Sequence, residues 1–201
     1  MDETDIKKYC RNMEEIKTRV SAIQKFTEES VSISNLGSID FDIEFIALQL
    51  RKILELICFS GLIANKKVYS KIYDKYANHW NPKYLLKDLE RVNPNYYPRP
   101  LVYSGLNKEK VHGYTSRKDG FLTKKEFLFL YEKCGAILHS RNPYKVPGVI
   151  DFKKSISDWL SSIFLLLSTH EMKLMGASET WMVIMEYSTN KNVHALITSP
   201  A

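Results

Sequence analysis

The chain has 201 residues, 44% hydrophobic and 26% charged, and its 29 Lys+Arg against 23 Asp+Glu give a net charge of +6. That length and balance describe one globular domain able to bury a core, and exclude a wholly disordered or fibrous chain. The positive surplus admits an anionic partner such as RNA, DNA or a phosphorylated ligand, although a soluble surface accounts for it equally well.

In chain order, residues 4–27 set Ile6, Tyr9, Met13, Ile16, Val20 and Ile23 on one stripe of a charged background, which predicts an N-terminal amphipathic helix. The opening "MDETDIKKYC" is acidic and has no apolar h-region, so no signal peptide is expected. "TEESVSISNLGSID" (27–40) is serine-rich and reads as a linker, with Asp40 or Asp42 expected to cap a long helix running to about Asn65.

In that helix Ile46, Leu50, Ile53, Leu54 and Ile57 share one side, extended by Phe45 and Leu56. Glu44, Arg51 and Glu55 form a narrow polar strip on a surface that is otherwise apolar, which puts the helix at the centre of a bundle. The run "FIALQLRKILELICFSGLIA" would bury Arg51, Lys52 and Glu55 in a membrane, so it reads as a core helix.

Tyr69, Tyr73, Tyr76 and Trp80 follow at helical spacing among lysines; core packing with snorkelling lysines explains them more simply than base stacking. "WNPKYLLKDLERVN" opens another helix, with Asn81 as cap and Pro82 in the first turn. Prolines at 94, 98 and 100 then predict an extended loop with a short strand at Leu101–Tyr103, followed by a polar excursion over 104–121.

"LTKKEF" is the clearest local signal. Thr123 and Glu126 make a capping box, Leu122 and Phe127 a hydrophobic staple, and the helix runs to about Ser140, where Asn142-Pro143 stops it. Asp151 is expected to cap the next helix, whose Phe152, Ile156, Trp159, Leu160, Ile163, Phe164 and Leu167 point inward. "TWMVIMEYS" and "VHALITS" flank "TNKN" as a β-hairpin, and "EMKLM" offers a third strand. The expected fold is α+β, mainly α. It is one domain over 1–201: an N-terminal helix at 4–27, a helical core at 40–168 and a β appendage at 170–201, about five helices with an antiparallel hairpin or three-stranded sheet.

Several chemistries are set aside. No glycine-rich phosphate loop or GxSxG elbow occurs, and the histidines at 79, 112, 139, 170 and 194 form no HxxxH or HExxH pair, so neither cofactor nor metal is expected. Cys10, Cys58 and Cys134 make no CxxC motif or disulfide framework, which points to a reducing, cytoplasmic setting.

Two sets of polar residues remain. The first is the Glu44/Arg51/Glu55 strip with His139 and Arg141; an intrahelical ion-pair network and a helix-end interaction account for them structurally, and convergence across a helix interface would make them catalytic. The second is the basic stretch 99–125, in which Arg99, Lys108, Lys110, Arg117 and Lys118 are the candidates for binding nucleic acid or another anion.

With "LQLRKILELI" on one helix and "YEKCGAILHSRNPY" ending a later one, residues 40–168 resemble the HEPN-type helical bundles. The resemblance implies a bacterial module acting on RNA, a nucleotide or a protein partner in defence or stress, and a tendency to form homodimers. Its ribonuclease members carry an arginine, a polar residue, and a histidine after four to six intervening residues. Here Arg141-Asn142 matches the start, but Val146, Pro147 and Gly148 stand where the histidine belongs. The resemblance therefore implies a noncatalytic binding or regulatory member, the alternative being a nuclease built from Glu44, Arg51, Glu55, His139 and Arg141.

Overall fold

A computed structural model describes residues 3–32, 39–72, 82–106, 112–139, 144, 151–176, 178–187 and 191–198. Among them are five helices, α1 (Glu3–Ser32), α2 (Ile39–Ile72), α3 (Pro82–Val92), α4 (Lys124–Leu138) and α5 (Ile156–Leu167). Five strands accompany them: β1 (Arg99–Leu106), β2 (His112–Ser116), β3 (Thr169–Lys173), β4 (Thr180–Tyr187) and β5 (Asn192–Thr198). The strands form one antiparallel sheet in the order β2-β1-β3-β4-β5. No described helix is long and apolar enough to cross a membrane.

The apolar surface of α2 dictates its central place: it packs against α1, α3, α4 and β3. Leu50, Ile53, Leu54 and Ile57 are buried there, as are Tyr9, Met13, Ile16 and Ile23 of the α1 stripe. The sheet alternates in the same economical way. His170 and Met172 of β3 and Trp181, Val183 and Met185 of β4 turn into the core, while the residues between them are partly or fully exposed. Helix α5 lies against β1, β3 and β4.

Local signals set several boundaries. Thr123 caps α4 in the expected capping box with Glu126, and both staple residues, Leu122 and Phe127, are fully buried. Asp151 does not cap α5. Its Oδ1 accepts the Lys153 amide at 2.7 Å in a side-chain turn that carries Lys153 to φ 62°, and the helix starts later, behind a Ser155–Asp158 capping box. Asp40 and Asp42 lie inside α2, which starts at Ile39 and continues past the expected end at Asn65 to Ile72. Tyr69 is buried, as core packing requires, whereas Tyr73, Tyr76, Trp80 and Asn81 lie outside the described residues.

The largest departure from expectation is at 99–116. The short strand expected at Leu101–Tyr103 is part of the longer β1, and the stretch expected as a polar excursion contains β2, so the sheet has five strands where two or three were expected. Pro100 lacks an amide proton, yet its carbonyl accepts from the Arg117 amide at 2.9 Å.

Candidate functional site

The β1–β2 hairpin is held at its base only. Arg99 pairs with Glu171 and Pro100 with His170 of β3, whereas Leu101 to Leu106 pair with β2 alone, so a two-stranded ribbon continues beyond the sheet. The ladder is irregular between Tyr103 and Gly105, which leaves Ser104 as the extra residue of a β-bulge. Gly105 has φ +95°, which favours glycine, and a Cβ at Gly113 would stand 2.6 Å from Ser104 Oγ, so that hydroxyl would have to turn away.

Directly opposed residues share a face of a ribbon, and alternation adds their second neighbours. Tyr103 faces Tyr114 and Leu106 faces His112, so these four share one surface. The Tyr103 and Tyr114 ring centroids are 5.5 Å apart at 60°, and those of Tyr103 and His112 are 5.6 Å apart at 44°. His112 Nδ1 and the Tyr103 hydroxyl are hydrogen-bonded at 3.1 Å, which fixes the Tyr103 ring although half of that residue is exposed.

Three cationic residues lie at the base of the ribbon. Arg99 donates to Ser116 Oγ at 3.1 Å and pairs with Glu171. Arg117 buries its Nε without a hydrogen-bond partner among the described residues, and Lys118 is exposed. Lys108 and Lys110 lie outside the described residues. Of the five expected anion-binding residues, Arg99, Arg117 and Lys118 are described, and they lie at the base of the ribbon that carries Tyr103 and Tyr114.

The second set separates. Arg51 Nη2 donates to the Tyr131 hydroxyl at 2.8 Å, its guanidinium lies 4.5 Å from the centre of that ring, and Nε donates to Glu55 Oε1 at 3.2 Å. Gly135 opens the space on α4 that the guanidinium fills: a Cβ there would come within 2.8 Å of Nη1. Arg51 is therefore a tie between α2 and α4 whose charge is already matched by Glu55.

Glu44 and His139 are exposed, and neither side chain makes a hydrogen bond or ion pair among the described residues; Arg141 lies outside them. His139 sits just past α4, where the backbone has turned extended at φ −90°, ψ 134°. The structure thus brings Arg51 and Glu55 together with Tyr131, and leaves Glu44 and His139 outside that contact. Arg51→Ala is expected to lower stability by about 1–2 kcal/mol, the worth of one charge-assisted hydrogen bond discounted for partial exposure. Urea denaturation measures that loss, and an unchanged affinity for nucleic acid would confirm the purely structural tie.

The cysteines near this contact are not poised to attack a substrate. Burial pushes the Cys134 thiol up to about 12 although Arg51 draws it down, and burial also raises Cys58, so neither is a thiolate near neutral pH. Among the described residues no group of three or more His, Cys, Asp or Glu converges as a metal site. A separate groove of about 710 Å³ runs between α1 and α5, lined by Ile16, Val20, Ile163, Leu167 and Met185 with Lys25 and Glu186 among its polar residues. Lys17 at that groove is occupied by Glu14 and by the Met185 and Lys191 carbonyls.

Compared with known proteins, the chain matches no family model, no curated protein and no solved structure.

Proposed function

We propose that the chain is a noncatalytic, cytoplasmic binding module that holds nucleic acid against the β1–β2 ribbon. The observation that carries this reading is the Tyr103/His112/Tyr114 surface, with Tyr103 and His112 exposed and Tyr114 half-buried, on a segment, residues 99–118, with five Lys or Arg and a single Glu. A positive ribbon neutralises phosphates by releasing counterions, and its rings add contacts to bases or sugars. Arg117 is half-buried, so its guanidinium is held at the base of the ribbon as part of this positive segment. The resemblance of residues 40–168 to HEPN-type bundles supports an RNA- or nucleotide-directed role, and the missing ribonuclease histidine favours binding without cleavage.

The test is binding and cleavage of end-labelled RNA by the purified chain across a salt series. Binding at about 50 mM salt that falls steeply by about 200 mM, without shortened products, is the expected result. Arg117→Ala/Lys118→Ala should weaken binding and reduce the slope of log K against log salt by about two. Absence of binding at the lowest salt would remove the proposal, and cleavage abolished by Arg51→Ala/His139→Ala would replace it with the nuclease alternative.

A further inference from the structure

We infer that the ribbon takes a single strand, with two successive bases separated from each other and laid on Tyr103 and Tyr114. The inference rests on the nucleic-acid reading above and narrows its ligand. Bases in a duplex are parallel and spaced by about 3.4 Å along each strand, and they present only their edges in the grooves. The two tyrosine rings are 5.5 Å apart and tilted by 60°, so bases resting on both cannot remain stacked on each other. Only an unpaired strand offers base faces at that spacing without the cost of opening a helix.

The surrounding contacts support the same ligand. The hydrogen bond to His112 holds the Tyr103 ring in place before any base arrives, which lowers the ordering cost of stacking. Stacking itself needs the ring and not the hydroxyl, so phenylalanine replaces Tyr114 fully, while Tyr103→Phe keeps the stacking surface but loses the hydrogen bond to His112. Lys118 is exposed at the base of the ribbon and offers positive charge to the backbone of a strand that crosses the rings. Gly105 and Gly113, paired across the ribbon, carry no side chain of their own beside this surface.

The test uses the full chain and two labelled probes read by fluorescence anisotropy at about 50 mM salt: an oligouridylate of about twelve nucleotides and a blunt duplex of the same length. The single strand should bind at least about tenfold more tightly than the duplex. Tyr103→Ala and Tyr114→Ala should each weaken single-strand binding about tenfold, the usual worth of one stacked base, while Tyr114→Phe keeps it and Tyr103→Phe, without the His112 hydrogen bond, loses less than Tyr103→Ala. Circular-dichroism melts confirm that the exposed-site variants remain folded. Equal or tighter duplex binding, or alanine variants that hold the single strand unchanged, would overturn the inference while leaving the ribbon reading intact. Binding of neither probe would overturn both.

Discussion

Acidification from pH 6.5 to about 4 is expected to cost the protein about 3 kcal/mol of stability through one side chain, His170. His170 is fully buried, with Nδ1 2.8 Å from the Leu167 carbonyl and Nε2 2.7 Å from the Tyr9 hydroxyl. A carbonyl only accepts, so Nδ1 carries the proton and Nε2 receives the hydrogen bond that Tyr9 donates. Charging the ring would put a cation in a closed, apolar site and leave the Tyr9 proton facing it. Burial accordingly lowers the His170 pKa from 6.5 to about 4, against the smaller upward pull of the Leu167 carbonyl.

The direction of the effect follows from that depression. Above pH 6.5 the ring is neutral in both the folded and the unfolded chain, and the stability is fully present. Between 6.5 and about 4 the unfolded chain takes up a proton that the folded chain refuses, so stability falls as pH falls. Carboxylates add their own acid sensitivity, and a comparison removes it: His170→Gln should be less stable at pH 7 but should lose about 3 kcal/mol less over the window. Urea denaturation of both proteins at pH 7, 6, 5 and 4 reads the difference, and parallel pH curves would exclude His170 as the source.

His170 was invisible in the sequence for a physical reason. A single histidine in "THEMK" acquires meaning only when strand alternation turns it inward beside Tyr9, and Tyr9 arrives from the far end of the chain. The parts that were legible are those specified locally. The α1 stripe, the apolar surface of α2 and the Thr123 capping box depend on residues within one or two turns, and each reappears in the structure.

Only β1 of the first hairpin was expected, as the short strand at Leu101–Tyr103, although the sequence carries a signal for β2 as well. "LVYSGL" and "VHGYTS" flank "NKEK" much as "TWMVIMEYS" and "VHALITS" flank "TNKN", and the second hairpin was read correctly. Prolines at 94, 98 and 100 and the dense charge obscured the first. Pro100 is tolerated because it lies at the base of the ribbon, where its carbonyl still bonds to the Arg117 amide. Within the candidate site, Arg51–Glu55 follows from a four-residue spacing, whereas the Tyr131 contact depends on how α2 and α4 dock.

Truncating Trp181 to alanine is expected to cost about 3–5 kcal/mol, a large share of the total stability of about 5–15 kcal/mol usual for a domain. Trp181 is 2% exposed and sits edge-on to Tyr9, with ring centroids 5.7 Å apart at 80°. It pairs across the sheet with Met172 and lies where α1 meets the strands. Helix α1 also covers β5: Glu14 Oε1 accepts the Val193 amide at 2.5 Å, and Lys17 donates to the carbonyls of Met185 and Lys191.

Removing the indole therefore leaves a void beneath the Tyr9–His170 pair, at the junction that covers the outer strand. Water entering that void would ease protonation of His170, so Trp181→Ala should also flatten the pH dependence between 6.5 and 4. Trp181→Phe, which keeps a ring against Tyr9, should lose much less, and Leu196→Ala on the exposed part of β5 should stay within about 0.5 kcal/mol. Because β1 joins the sheet through Pro100 opposite His170, loosening the Tyr9–His170 pair reaches the strand pairing at the base of the ribbon. The proposed single-strand affinity should fall in Trp181→Ala even under conditions where the chain is still folded. Chemical denaturation together with anisotropy separates the two effects, and a stability loss below about 1 kcal/mol would show that the junction does not rest on this ring.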